Sequence, residues 1–393
     1  MIAGAPHVPD APAVLAEPPP TQDPVAAPGP PAAQAPPAAQ APPAAQAPLA
    51  AQAAPAAQGP LAAQGPLATQ WSRALAILAD APQVCLACHV RPDADALGSM
   101  LALAHALTTL GRGVTASFGD EPFAVPGNLR FLPGTGLLTP PGGYPAAPAV
   151  MMTFDAAGAD RLGALAASAA AAGQLIVLDH HASNTAFGTV RLVDPAAAAT
   201  AVLARELVAR LGVPLTADIA ICLYAGLVTD TGSFKFSVTP ALHHLAAELI
   251  AAGLDPAAVA RELFDRAPFG YLELLSAVLG RAVLEPAAAG GLGLVWAAVS
   301  RADRERAGGL PLDVIEPVID TLRRTDEAEV AVVLKEADDG RWLVSARSKD
   351  RVNVGRACQA LGGGGHARAA GFTAAGSAAD AIAALRDRLC PDS

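Results

Sequence analysis

From Trp71 onward the chain carries apolar runs of the lengths and spacings that strands and helices need. WSRALAILADAP has helical apolar spacing, and VCLACHV is a short continuous run suited to a buried parallel strand. ADALGSMLALAHALTTLG predicts a long helix that stops at Gly111. VTASFGD, VMMTFD, QLIVLDHH and AICLYAGLVTD follow as strand-like apolar segments, with AATAVLARELVARLG as a helix among them. The run from Leu162 to Leu178 is broken by Ser168, Gly173 and Gln174, so it reads as helix, turn and buried strand, not as a bilayer span. This alternation predicts an α/β domain, a parallel sheet covered by helices. After Pro240 three helical stretches lead out of it, LHHLAAELIAAGLD, PAAVARELFDR and YLELLSAVLGRAVLE. Strands are then expected in GLGLVWAAVS, EAEVAVVLKEAD and RWLVSARSK, the last two joined by a turn at ADDGRW, and AADAIAALRDRLC closes the chain as a helix. The resulting division is an arm over 1–70, a first domain over 71–252, a helical linker over 253–284 and a smaller α/β domain over 285–393.

Composition adds limits. Between about Pro30 and Leu67 a six-residue unit, PAAQAP and then PLAAQG, repeats. Its prolines prevent a stable helix and it has little to bury, so a disordered, partly polyproline arm is expected. The formal net charge of -10 excludes an extended basic track for long nucleic acid, while leaving room for a short phosphate-bearing ligand. Five cysteines, odd in number and set mostly in apolar runs, suit reduced thiols. The start MIAGAPHVPDAP lacks a basic stretch followed by an apolar core, so a soluble, cytoplasmic protein with no membrane partner is expected. Cys85, Cys88 and His89 fit the spacing of haem attachment, but they lie in an apolar strand and read as core packing.

The polar residues that end the apolar runs carry the chemistry. His89, Asp93 and Asp95 sit on the turn between a strand and a helix. Asp155 follows VMMTF, Asp179, His180 and His181 follow QLIVL, and Asp230 follows CLYAGLVT. All are read as strand ends of one sheet, the side at which open α/β sheets bind ligands. So many carboxylates together would repel one another, and a pair of hard divalent cations removes that penalty. Near the end of the chain, Gly362 to Gly365 and His366 lack the Lys and Ser/Thr of a nucleoside-triphosphate loop. Consecutive glycines there can let backbone N–H groups approach a phosphate.

HVRPDADALGS, FD, LDHH and LVTDTGSF, in this order, resemble the signature motifs of the DHH phosphoesterase family. GGGGHARAAG with the preceding SARS resembles the DHHA1 domain that accompanies it, so the likeness covers nearly everything from Val84 to Phe372. It implies two divalent cations, manganese first with magnesium or iron as alternatives. One would be held by His89, Asp93 and Asp155, the other by Asp95, Asp155, His180 and Asp230. His181 would face the substrate and Asp179 would orient the histidines. Ser345, Arg347, Gly363, Gly364, Gly365 and His366 would bind substrate, with Lys349 and Arg368 as weaker candidates. The compact, NrnA-like branch implies hydrolysis of nano-RNA and of 3′-phosphoadenosine-5′-phosphate, and a homodimer. A cyclic di-AMP or linear dinucleotide phosphodiesterase is the alternative, and a non-catalytic nucleotide-binding regulator is the alternative of another class.

Overall fold

The computed structural model describes residues 67–391. The disordered arm expected over 1–70 therefore lies outside the described residues up to position 66. Its last residues are not arm at all, because helix α1 spans Ala68–Asp80. Trp71, Ala74 and Leu78 bury one stripe of that helix, and Gln70 Oε1 accepts the Arg191 N–H at 3.2 Å. The first turn is thus tied to the sheet.

The first domain is built on five strands, β1 (Gln83–Cys88), β2 (Gly113–Phe118), β3 (Val150–Phe154), β4 (Gln174–Asp179) and β5 (Val190–Val193). They lie in the order β2-β1-β3-β4-β5 and every pair is parallel. Parallel pairing brings all the strand carboxyl ends to one edge, and β1, β3 and β4 deliver His89, Asp155 and Asp179 there. Cys85 and Cys88 pack into separate apolar clusters as free thiols, in keeping with their reading as core residues.

The covering helices include α2 (Ala94–Thr109), α3 (Ala166–Ala171), α4 (Thr200–Arg210) and α5 (Ala217–Asp230). Helix α5 corrects the sequence reading, which took AICLYAGLVTD for a strand. A segment buried on nearly every side shows no alternation by which strand and helix can be told apart. Its true signal is the cap, where Thr216 accepts the Ile219 N–H at 3.3 Å. Asp230 therefore ends a helix.

Helices α2 and α5 approach closely at two glycines. A Cβ on Gly98 would lie 2.3 Å from the Cys222 carbonyl oxygen, and one on Gly226 would lie 2.7 Å from Asp95 Oδ1.

Helices α6 (Pro240–Ala251), α7 (Pro256–Phe264) and α8 (Gly270–Leu279) follow. The segment expected as a linker is shared between two cores: Leu254 and Val259 pack into the first, Leu274 and Val278 into the second. The second sheet has strands β6 (Val283–Glu285), β7 (Leu294–Val299), β8 (Val330–Glu336), β9 (Trp342–Ser348), β10 (Gly364–His366) and β11 (Ala369–Ala374). Their order is β10-β11-β9-β8-β7-β6, antiparallel except for β7 with β8. The expected hairpin joins β8 to β9, closed by the Ala337 N–H on the Arg341 carbonyl at 2.8 Å. The closing helix, Ala378–Arg386, starts at a capping box of Ser377 and Asp380. Among the described residues no helix is long and apolar enough to cross a membrane.

Candidate active site

Strand ends, loops and one helix end bring the predicted residues together. Asp93 caps α2 by accepting the N–H groups of Asp95 and Ala96, each at 3.0 Å, which turns the chain sharply after β1. His89 Nδ1 faces the Val90 carbonyl at 2.8 Å, and its Nε2 lies 3.4 Å from Asp155 Oδ2 and 3.9 Å from Asp93 Oδ2. Asp155 leaves β3 with φ +56°, a left-handed backbone that a residue other than glycine adopts at a cost of about 1–3 kcal/mol. That turn sends its carboxylate into the middle of the group.

Asp95 is fully buried. Its Oδ2 accepts the Thr200 N–H at 2.6 Å and its Oδ1 the Ala201 N–H at 2.8 Å, so the N-terminus of α4 holds it. Thr200 also donates its hydroxyl to Asp155 Oδ1 at 2.7 Å. His180 turns Nδ1 to the Ala197 carbonyl at 3.1 Å. Its Nε2 then lies 3.2 Å from Asp230 Oδ2, 3.5 Å from Asp155 Oδ1 and 3.9 Å from Asp95 Oδ2. That nitrogen is buried with no hydrogen-bond partner. An orphaned buried nitrogen costs about 1–3 kcal/mol, and it faces three carboxylates.

Electrostatics agree with a cation site. Burial, then the charges of Asp155 and Asp230, push Asp95 well above the usual carboxylate range. Burial, then Asp155 and Asp93, do the same to Asp230. Burial also works against the Asp155 anion, but His89, His181 and His180 outweigh it and hold that carboxyl low. Two carboxylates about 4 Å apart repel by roughly 4 kcal/mol at an effective dielectric near 20. Among the described residues four groups could each hold a metal ion, and two lie within the expected sets: His89, Asp93 and Asp155, and Asp95, Asp155 and His180, each with ligand atoms within 4.8 Å of one another. Oxygen and imidazole donors of this kind fit hard or borderline divalent cations.

His181 has a different setting. Its Nδ1 lies 2.7 Å from Asp179 Oδ1, and Asp179 Oδ2 accepts the Asn184 side-chain N–H at 2.6 Å. Burial opposes the charged imidazole, yet Asp179, and after it Asp155, push its pKa up to about 9. Asp179 thus orients His181 alone, whereas it was expected to orient both histidines; the Ala197 carbonyl aims His180.

The second domain contributes the facing wall. His366 ends β10 and stacks on His181 with ring centroids 4.4 Å apart and planes 16° apart, and it lies 4.6 Å from the His180 ring. Burial, then His181 and His180, lower the His366 pKa to about 3, so it stays neutral beside a charged neighbour. Of the glycine run, Gly364 and Gly365 lie in the edge strand β10. A Cβ on Gly363 would meet the Gly371 carbonyl oxygen at 2.1 Å, and one on Gly365 the Ala369 carbonyl oxygen at 2.5 Å, while Gly364 faces open space.

Arg347 donates to Glu316 Oε1 at 3.3 Å and Ser345 to Glu316 Oε2 at 3.1 Å. The buried Lys335 also pairs with Glu316 and lies 3.1 Å from Ser345 Oγ. The two weaker candidates are engaged in holding loops. Lys349 donates to the Thr325 carbonyl at 2.6 Å, and Arg368 donates to the Val352 carbonyl at 3.1 Å. Sequence reasoning missed Thr200, Asn184 and Glu316. Only Thr200, at the start of a predicted helix, left a signal there.

The sequence matches the DHH family, N-terminal domain, over residues 83–227 and the DHHA1 domain over residues 298–390. It is 35% identical over 292 residues to the bifunctional oligoribonuclease and PAP phosphatase NrnA of Thermus thermophilus, covering 74% of this chain and 84% of the relative. It is 29% identical over 200 residues to the cyclic-di-AMP phosphodiesterase GdpP of Geobacillus thermodenitrificans, covering 50% of this chain and 29% of that protein. The fold is similar to that of an exopolyphosphatase-related protein from Bacteroides fragilis, with TM-score 0.73, 22% identity, and coverage of 82% of this chain and 96% of that one. The chain belongs to the DHH family of phosphoesterases, in the form that carries a DHHA1 domain.

Proposed function

We propose that this chain is a two-metal phosphoesterase that hydrolyses short oligoribonucleotides to mononucleotides and 3′-phosphoadenosine-5′-phosphate to AMP. The observation that carries the reading is the orphaned Nε2 of His180, aimed at Asp95, Asp155 and Asp230 beneath a His366 supplied by the second domain. His89, Asp93 and Asp155 would hold one divalent cation, and Asp95, Asp155, His180 and Asp230 the other. When bound, such a pair neutralises phosphoryl charge and lowers the pKa of water.

The chain's own groups supply the rest. His181, kept charged by Asp179, is placed to give a proton to the leaving oxygen. Asn184 fixes Asp179 and so the plane of that imidazole. Neutral His366 lies against His180 and His181 from the second domain, and it would grip the substrate phosphate together with Ser345 and Arg347, which Glu316 holds. With a net charge of -10, the chain suits a few nucleotides better than a long polyanion.

The similarity to GdpP supports a second reading, hydrolysis of cyclic di-AMP or its linear product. The test is manganese-dependent hydrolysis of a panel: a two-to-five-residue RNA ladder, 3′-phosphoadenosine-5′-phosphate, cyclic di-AMP with its linear form, and pyrophosphate. Mononucleotides and AMP are the expected products, and Asp155→Ala should lower their release by at least about 10³-fold. Turnover of the cyclic dinucleotide alone would favour the second reading, and turnover of pyrophosphate alone would overturn both. Metal binding without any hydrolysis would point to a nucleotide-binding regulator.

A further inference from the structure

Beside the substrate wall stands a cation that closes no ion pair among the described residues. Arg323 has a buried Nε without a hydrogen-bond partner. Asp320 and Glu329 lie within electrostatic reach, but neither closes to an ion pair. The neighbouring cations Lys335 and Arg347 already share a single carboxylate, Glu316. Arg323 is therefore a surplus charge. Burial, and then the charge of Arg347, disfavour its protonated form. A planar guanidinium kept under that strain suits an anionic ligand that arrives with its own charge.

Its orientation is fixed. The guanidinium carbon lies 4.4 Å over the centroid of Phe236, six residues beyond Asp230 in the chain. The loop carrying Phe236 is held at Thr231, whose carbonyl accepts the N–H groups of Lys235 at 2.8 Å and Phe236 at 3.0 Å. Ser233 and Phe234 take left-handed backbones, φ +60° and +61°, and a Cβ on Gly232 would come within 2.6 Å of the Phe236 ring. The short helix Val318–Leu322 that leads into Arg323 packs against β9, the strand that carries Ser345 and Arg347.

Resting on the function proposed above, we propose that Arg323, laid flat on Phe236, is a subsite for the non-scissile phosphate of a substrate that bears two. It is a binding and specificity group for linear dinucleotides with a terminal phosphate and for nucleoside bisphosphates. The phosphate would bind the guanidinium, with Phe236 holding its plane for a two-pronged contact.

The experiment compares kcat/KM for a diadenylate carrying a 5′-phosphate with that for the same dinucleotide ending in a 5′-hydroxyl. Wild type, Arg323→Gln, Arg323→Lys, Phe236→Leu and the exposed-surface control Arg324→Gln would be assayed. The wild-type preference for the phosphorylated form should shrink about ten- to a hundredfold in Arg323→Gln, through KM. Arg323→Lys should restore part of it, and Arg324→Gln should leave both substrates unchanged. An equal loss on both dinucleotides in Arg323→Gln would make Arg323 a structural residue and overturn the subsite. So would an undiminished preference in that variant. If wild type cleaves neither dinucleotide, the functional reading falls and the subsite with it, an outcome distinct from the other two.

Discussion

On the first domain's wall Asp95, Asp155 and Asp230 crowd around one histidine nitrogen, and the restraints on them come mainly from backbone: the α4 N–H groups, the α2 turn and the bent exit from β3. On the second domain's wall one carboxylate, Glu316, is shared between Lys335 and Arg347 through flexible side chains. The first wall is rigid and short of positive charge. The second is adaptable and carries surplus positive charge before any ligand arrives, since Glu316 alone faces Lys335 and Arg347 with Arg323 beside them. Fixed donors suit cations whose spacing matters, and side chains that can trade one anion for another suit a substrate that must enter and leave.

The contrast can be tested from either side. His366→Ala should cost about 10- to 100-fold in kcat/KM while leaving manganese affinity, read by calorimetry, unchanged. A matching loss of metal affinity would mean that the two walls form one unit. Asp179→Asn sharpens the first wall. The Asp179 contact favours charged His181, so its stabilisation is complete below the ordinary histidine pKa and is lost as pH rises through about 9. The variant's alkaline limb should therefore move down toward about 6.5, with roughly tenfold less activity at mildly alkaline pH. An unmoved limb would remove His181 as the acid. Glu316→Gln is the mildest change. Lys335 would lose its counter-ion, and because Glu316 is about one-third exposed the cost should be near 1 kcal/mol, a fall of about 2–4 °C in melting temperature.

Much of this was legible in the amino-acid pattern. Short apolar runs closing on Asp or His mark β1, β3 and β4, because a parallel strand buried on both faces must keep its polar chemistry for its end. Asp230 was named because it closes the apolar run CLYAGLVT and lies in the LVTDTGSF motif, although its element was misread: a fully buried helix and a buried strand look alike in composition. Thr200 and Asn184 could not be assigned roles in advance, since an unremarkable hydroxyl or amide gains a role only from where α4 and the loop after β4 deliver it. Glu316 is subtler still. It lies 29 residues from Ser345 and 31 from Arg347, and no local pattern announces a partner across such a gap.

The crossing of α2 and α5 puts Gly226 against Asp95 at the site and Gly98 against Cys222 deeper along the same contact. The width of the proposed metal cradle is thus gauged from behind, by how nearly two main chains can touch, and not by the loops that decorate its mouth. A single methyl group at either position would wedge Asp95 away from Asp230 without altering a donor atom. If the proposed cations bind there, helix spacing alone would set how far apart their donors stand.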